Sequence, residues 1–156
     1  RPGGRFPSIE SMAVERMDHV GVVVDDLAAA REFFAELGLE LDGEGTNEGP
    51  WVDRIVGLDG VRADMAMMKT PDGNGQVELI KFQSPPSEGD DGHAPSNARG
   101  IRHLTFAVDD LEDVLTRLRA RGAELVGEVE NYEDTYLLCY IRGPEGIIVM
   151  LAERIG

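Results

Sequence analysis

The stretch HVGVVVDDL at residues 19–27 returns 84 residues later as HLTFAVDDL at residues 103–111. Each copy begins with a histidine, continues with apolar and β-branched residues, and ends in the same Asp-Asp-Leu. The correspondence continues at the same offset, so that Gly38 matches Gly122. Self-similarity at a fixed offset indicates two copies of one supersecondary unit. It also predicts that the two leading histidines occupy equivalent positions, and a site shared between the copies is the first hypothesis for function.

Copy one has the pattern of a strand, a helix and three further strands. Asp25 or Asp26 can cap the helix, whose apolar stripe runs from Leu27 to Leu37, and Gly38 ends it. A variable loop containing Trp51 is expected after the second strand. The predicted strands are 19–24, 39–43, 61–69 and 76–82.

Copy two repeats this order, so each copy is predicted to be a β-α-β-β-β unit in an α+β protein. The helix is expected at 111–121, and the strands at 101–108, 124–128, 135–141 and 147–152. A stretch rich in Ser, Pro, Gly, Asp and Asn separates the copies. The predicted organisation is a flexible tail at 1–16, a first module at 17–82, a linker at 83–99 and a second module at 100–156.

One helix can cover only one face of each four-stranded sheet, so side-chain alternation decides which residues lie on the open face. In copy one this face carries His19 and Glu78, and in copy two His103 and Met150. The same faces carry Gly, Thr and Ala, which leave space that a packed core would fill. In copy two we also expect Ile148 there. The pattern therefore predicts a cleft lined by the open faces.

Composition restricts the class of partner. The formal net charge of −15 argues against nucleic acid and anionic membrane surfaces, while it is compatible with a cationic ligand. No apolar run is long enough to cross a membrane, and the start lacks a basic-then-apolar signal pattern, so we expect a cytoplasmic protein. The single Cys139 cannot form an intrachain disulfide and is expected to be a small buried residue of a strand.

The paired copies, headed by MDHV at 17–20 and IRHL at 101–104, resemble the vicinal oxygen chelate superfamily. The closing runs GQVEL at 75–79 and GPEGIIV at 143–149 resemble it as well. This superfamily includes glyoxalase I, methylmalonyl-CoA epimerase, extradiol dioxygenases, fosfomycin-modifying enzymes and metal-free bleomycin-resistance proteins. The resemblance implies two tandem βαβββ modules in a glyoxalase-like fold, and a homodimer.

The resemblance also implies four ligand positions for a divalent metal, which fall on His19, Glu78, His103 and Met150. The first three suit Zn, Co, Mn, Ni or Fe(II). Met150 departs from the pattern, because a thioether is a poor ligand for hard divalent ions and a glutamate is usual there. Asp64 lies in the strand that resembles the one carrying the catalytic carboxylate of the epimerases, and is a candidate base.

Two functions follow from this set. The first is a metal-dependent enzyme acting on a small oxygenated organic molecule, as an epimerase, isomerase or lyase, or as a dioxygenase. The alternative is a metal-free protein that sequesters an antibiotic or another small molecule, which Met150 and the Trp51 loop favour. A further reading of the His-Glu-His set is a metal-free pocket in which Glu78 hydrogen-bonds a histidine. The candidate substrate-binding residues are Trp51, Met65, Met67, Tyr136, Tyr140 and Met150.

Overall fold

The computed structural model describes residues 13–89 and 92–156, and within them the two modules follow one another as predicted. The first module consists of β1 Val20–Val23, α1 Leu27–Leu37, β2 Glu40–Glu48, α2 Pro50–Val56, β3 Arg62–Lys69 and β4 Gln76–Ser84. The second consists of β5 His103–Ala107, α3 Leu111–Ala120, β6 Glu124–Leu125, β7 Glu130–Tyr132, β8 Tyr136–Arg142 and β9 Ile148–Arg154. The α+β class is confirmed. Most of the predicted tail lies outside the described residues.

Each module forms its own mixed sheet. The strand order is β1-β4-β3-β2 in the first sheet and β5-β9-β8-β6 in the second, where β7 also pairs with β8. The first strand of each module runs parallel to the last, and the other pairs are antiparallel. The strand that heads each repeat is therefore an edge strand of its sheet, next to the strand that closes the repeat.

The repeated Asp-Asp-Leu starts both helices in the same way. The side chain of Asp26 accepts a hydrogen bond from the backbone N–H of Ala29, and Asp110 caps α3 through the N–H of Asp113. These caps satisfy donors that have no partner within a helix, which is why the second aspartate of each pair is the N-cap.

The helix-covered faces of both sheets share one core. Val77 and Leu79 of copy one and Val149 and Leu151 of copy two belong to it, as alternation predicted. The two modules interlock directly, since the rings of Phe34 and Phe106 meet edge to face with centroids 6.3 Å apart. The open faces therefore lie outside this core.

The turn between β8 and β9 fastens the second module to the first. Its Glu145 carboxylate accepts hydrogen bonds from the backbone N–H groups of Asp25 (2.6 Å) and Asp26 (2.9 Å) at the start of α1. Arg142, at the end of β8, donates to the carbonyl oxygens of Gly92 and Ala94 in the linker. This end of the second sheet therefore contacts both the linker and the first helix.

Two details of the sequence prediction are wrong. Trp51 lies in a helix, α2, because Pro50 occupies its first turn and suits that position without an N–H donor. Of the strand expected at 124–128 only Glu124–Leu125 (β6) forms, and a separate short strand, β7, follows it at Glu130–Tyr132. Ile148 shares the face of Met150, as expected, but it is buried at 2% exposure, because the linker returns to its end of the sheet. No helix in the described ranges is long and apolar enough to cross a membrane.

Candidate functional site

His19 and Glu78 face each other on the open side of the first sheet. His19 directly precedes β1, and Glu78 lies in β4 opposite Gly21. The Nε2 atom of His19 is 3.7 Å from Oε2 of Glu78, and their side chains are 36% and 23% exposed. The structure thus brings together two of the three residues that the sequence pointed to as metal ligands.

Asp18 holds the other ring nitrogen of His19. Its Oδ2 lies 2.7 Å from Nδ1, and its Oδ1 accepts a hydrogen bond of 3.2 Å from Arg16. The His19 hydrogen bond, followed by that of Arg16, lowers the pKa of the Asp18 carboxyl, so the carboxylate form is favoured. The repeat pattern did not single out Asp18, although an acid directly before a candidate ligand histidine indicates a hydrogen-bond partner for the ring.

Nε2 of His19 and Oε2 of Glu78 could both be ligands of one metal ion. When the hydrogen of a neutral imidazole is on Nδ1, towards Asp18, Nε2 carries a lone pair 3.7 Å from a carboxylate oxygen of Glu78. Two electron-pair donors at this distance repel each other, and a cation between them can bind both. Bonds of about 2.1 Å from each donor can span a separation of 3.7 Å.

His103 has a different environment in the second module. It is the first residue of β5, it is exposed, and its Nδ1 lies 3.4 Å from the hydroxyl of Tyr140. The two rings are 4.9 Å apart. Met150 lies opposite Tyr140 in the β8–β9 ladder. This half of the open surface therefore offers an imidazole, a phenol and a thioether.

The three predicted ligands do not form one cluster within the part of the chain that the structure describes. Among the residues that the structure describes, no three His, Cys, Asp or Glu side chains are close enough to hold a metal ion. His103 therefore does not join His19 and Glu78 in one cluster. The three-ligand site stays a prediction.

Asp64 lies on the other face of the first sheet. It is three residues from Met67, which pairs with Glu78, and residues an odd number apart along a strand point to opposite faces. The hydroxyl of Thr46 and the amide of Gln83 donate to its carboxylate at 2.6 and 2.9 Å. These bonds lower the pKa of Asp64. Its role as a base stays a prediction, and the structure does not place it beside Glu78.

The candidate substrate-binding residues divide between the two open faces. Met67 is opposite Glu78 in the β3–β4 ladder, and Met65 is opposite Ile80. Tyr136 and Tyr140 alternate with the core-facing residues of β8. Trp51 is the second residue of α2 and has half of its surface exposed. α2 itself is anchored through Val52, which clusters with Ile80 and other residues at the end of the first sheet.

Two cavities lie along the edge strands at the junction of the modules. One, of about 520 Å³, is lined by β1, the linker and the start of β5, including Arg99 and His103. The other, of about 760 Å³, is lined by the end of β5, the turn at 70–75 and Arg117. Neither is lined by Glu78 or Met150, so neither coincides with the predicted ligand set.

A family model and several solved structures are similar to this chain. The sequence model of the Glyoxalase/Bleomycin resistance protein/Dioxygenase superfamily matches residues 16–151. A crystal structure of a glyoxalase family protein from Bacillus cereus is 46% identical to this chain, with a TM-score of 0.90. The match covers 94% of this chain and 98% of that one.

Two more distant solved structures share the fold. One is a mutant of the fosfomycin resistance protein FosX from Listeria monocytogenes with Mn(II) and dihydroxypropylphosphonic acid. It has 14% identity and a TM-score of 0.58, covering 92% of this chain and 91% of that one. The other is an antibiotic binding protein from a Streptomyces species, with 21% identity and a TM-score of 0.59, covering 92% and 98%. At these identities the likeness shows the fold alone.

Proposed function

The chain belongs to the glyoxalase, bleomycin resistance protein and dioxygenase superfamily, and on this premise we propose that it is a metal-dependent enzyme. It binds a small oxygenated organic molecule at a divalent metal on the open sheet faces. The observation that carries the proposal is the 3.7 Å approach of His19 Nε2 to Glu78 Oε2, with Asp18 engaged at Nδ1. A fold relative that holds Mn(II) with a small oxygenated ligand supports it.

The third ligand comes from a second copy of the chain. His103 lies on the open face of the other module and does not join His19 and Glu78 within one chain. A homodimer that places the open face of one first module against that of its partner's second module completes the set. Two equivalent sites would form in such a dimer, each with two imidazoles and one carboxylate from opposite copies.

The residues present favour acid–base chemistry next to the metal. When bound, the divalent ion supplies Lewis acidity towards a substrate oxygen, such as a carbonyl. With His103 bound to the metal through Nε2, the hydroxyl of Tyr140, 3.4 Å from Nδ1, is the group left to hold and move a proton. Isomerisation or epimerisation next to a carbonyl uses both features. Dioxygenation is the second reaction to test, and it requires Fe(II) or Mn(II).

Metal titration of the purified protein tests the proposal. We expect Mn(II), Co(II) or Zn(II) to bind at one ion per chain in calorimetric titrations after treatment with chelator. His19→Ala and Glu78→Gln should remove this binding. His93→Ala is the matched control, since it deletes an exposed histidine of the linker that is outside the proposed set. Absence of uptake by the wild type with any of these ions or Fe(II) would rule out the enzyme as proposed.

A metal-free binding protein is the second candidate function. Met150 in place of a carboxylate, and the exposed Trp51, favour a surface that takes up an apolar or aromatic compound. A fold relative described as an antibiotic binding protein supports this possibility. Under this function, ligand binding would persist in His103→Ala, whereas a metal enzyme would lose its metal. A cytoplasmic location and the absence of a nucleic-acid partner stay predictions from composition.

A further inference from the structure

The two histidines that head the repeats have equivalent places but different partners. Nδ1 of His19 is 2.7 Å from the carboxylate of Asp18, whereas Nδ1 of His103 is 3.4 Å from the phenol of Tyr140. The residue before His103 is Arg102, whose guanidinium donates to backbone carbonyls of Ala94 and Pro95. Of the two histidines, His19 alone therefore directly follows an acidic residue.

A carboxylate on Nδ1 decides two properties of an imidazole. It retains the hydrogen on Nδ1, which leaves the lone pair on Nε2, and it increases the basicity of Nε2 as a ligand. Neutral imidazole in water prefers the opposite arrangement, with hydrogen on Nε2. In His19 the Nε2 atom is the one that faces Glu78. The orientation of Asp18 is therefore the one that prepares this nitrogen to bind a cation.

The position of Asp18 is itself fixed by the chain. Arg16 holds one carboxylate oxygen at 3.2 Å, while the other oxygen is directed at His19. We propose that Asp18 is a positioning residue that fixes the Nδ1–H tautomer of His19 and presents Nε2 to the metal. The metal half of this inference rests on the proposed function, whereas the tautomer half concerns the metal-free chain.

The tautomer can be measured without metal. Long-range proton–nitrogen NMR spectra of the ¹⁵N-labelled, metal-free protein distinguish the protonated nitrogen in each imidazole. At a pH where the ring is neutral, we expect the Nδ1–H form for His19 in the wild type and the Nε2–H form in Asp18→Ala. Glu15→Ala is the control, because it removes an acid from the same exposed segment that contacts Arg16 but not His19. It should leave the His19 signals unchanged.

Cobalt affinity tests the consequence for binding. Loss of an outer carboxylate from a ligand histidine typically weakens metal binding by about 10–100-fold, so Asp18→Ala should lose at least about tenfold in Co(II) affinity. Asp18→Asn, which retains an acceptor oxygen without the charge, should lose less, and Glu15→Ala should match the wild type. Circular dichroism and melting temperature should be unchanged in all three variants.

The outcomes separate this inference from the function on which it rests. If Asp18→Ala keeps the wild-type tautomer, or binds Co(II) as tightly as Glu15→Ala does, Asp18 is not a positioning residue. If the wild type binds no Co(II), the proposed metal function fails. The tautomer comparison still decides in that case whether Asp18 directs the imidazole.

Discussion

Glu78 and Met150 occupy the same place in the two halves of the molecule. Glu78 pairs with Gly21 two residues after His19, and Met150 pairs with Thr105 two residues after His103. The next strand across carries Met67 opposite Glu78 and Tyr140 opposite Met150. The two halves therefore differ at both positions, with a carboxylate beside a thioether in one and a thioether beside a phenol in the other.

A carboxylate at position 150 of the second module should strengthen metal binding. Met150→Glu places an anionic oxygen donor at the position equivalent to Glu78, and hard divalent ions prefer oxygen to a thioether. We expect the Mn(II) affinity to rise by about tenfold or more, since a direct ligand should exceed an outer partner in effect. Calorimetric titration measures it.

Ala152→Glu is the matched control for this gain. Ala152 lies two residues after Met150 in β9, so its side chain is the next one on the same face. The substitution therefore adds the same charge close to position 150 but not at it. Equal gains in the two variants would mean that added negative charge attracts the ion from a distance. In that case Met150 would not lie at a ligand position.

Mixing two inactive variants should restore metal sites if the ligands come from different copies. His19→Ala and His103→Ala should each bind no metal alone. After unfolding and refolding together, random pairing places both intact histidines in one site of each mixed dimer. About a quarter of the wild-type sites should return, with the affinity of the wild type, because half of the dimers are mixed and each has one intact site. Binding that stays at zero after mixing, while mixed dimers are demonstrated by differently sized tags, would place the full site within one chain.

Much of the fold follows from local sequence patterns. The repeat beginning at His19 and His103 predicts the two modules, and the second aspartate of each Asp-Asp-Leu caps its helix as expected. Alternation correctly assigns the core faces of the closing strands. These features depend on residues close together in sequence, and each is repeated, so two independent patterns support the same conclusion.

The features that sequence did not reveal depend on contacts between distant segments. Ile148 is buried because the linker returns to its sheet. The helix α2 has only seven residues, which is too short for a helical periodicity to be recognised in the sequence. Asp64 was a candidate base because the sequence does not show the register of its strand. In the structure the register places Asp64 on the face opposite to that of Met67. The separation of His103 from His19 reflects the packing of whole modules, which no local pattern reports.

The contribution of Asp64 to stability should depend on pH. Its pKa is lowered in the folded chain by Thr46 and Gln83, so the stabilisation is present above the unfolded-state value near 3.8. It is lost as the pH falls through the lower folded value. Asp64→Ala should therefore reduce the free energy of unfolding at pH 7, and the difference from wild type should shrink below about pH 4. Urea denaturation at pH 7, 5 and 3.5 measures this difference.

Asp59→Ala is a suitable comparison for this pH series. Asp59 is exposed, and its carboxylate makes no hydrogen bond within the residues described. It should show little change from wild type at any pH. A difference between wild type and Asp64→Ala that stays constant from pH 7 to pH 3.5 would contradict the role assigned to the Thr46 and Gln83 hydrogen bonds.

Gly92 and Gly73 offer a test of how the linker joins the modules. Both have a φ of +76°, so alanine at either position incurs the same backbone strain. A Cβ at Gly73 would meet open space, whereas one at Gly92 would overlap the backbone carbonyl of Glu145. Glu145 is the residue whose carboxylate holds the start of α1. We therefore expect Gly92→Ala to lower the free energy of unfolding by about 1–3 kcal/mol more than Gly73→Ala, the usual cost of forcing atoms into a filled space. Equal losses in urea denaturation would mean that the linker can move away from the turn, and that the contact does not hold the modules together.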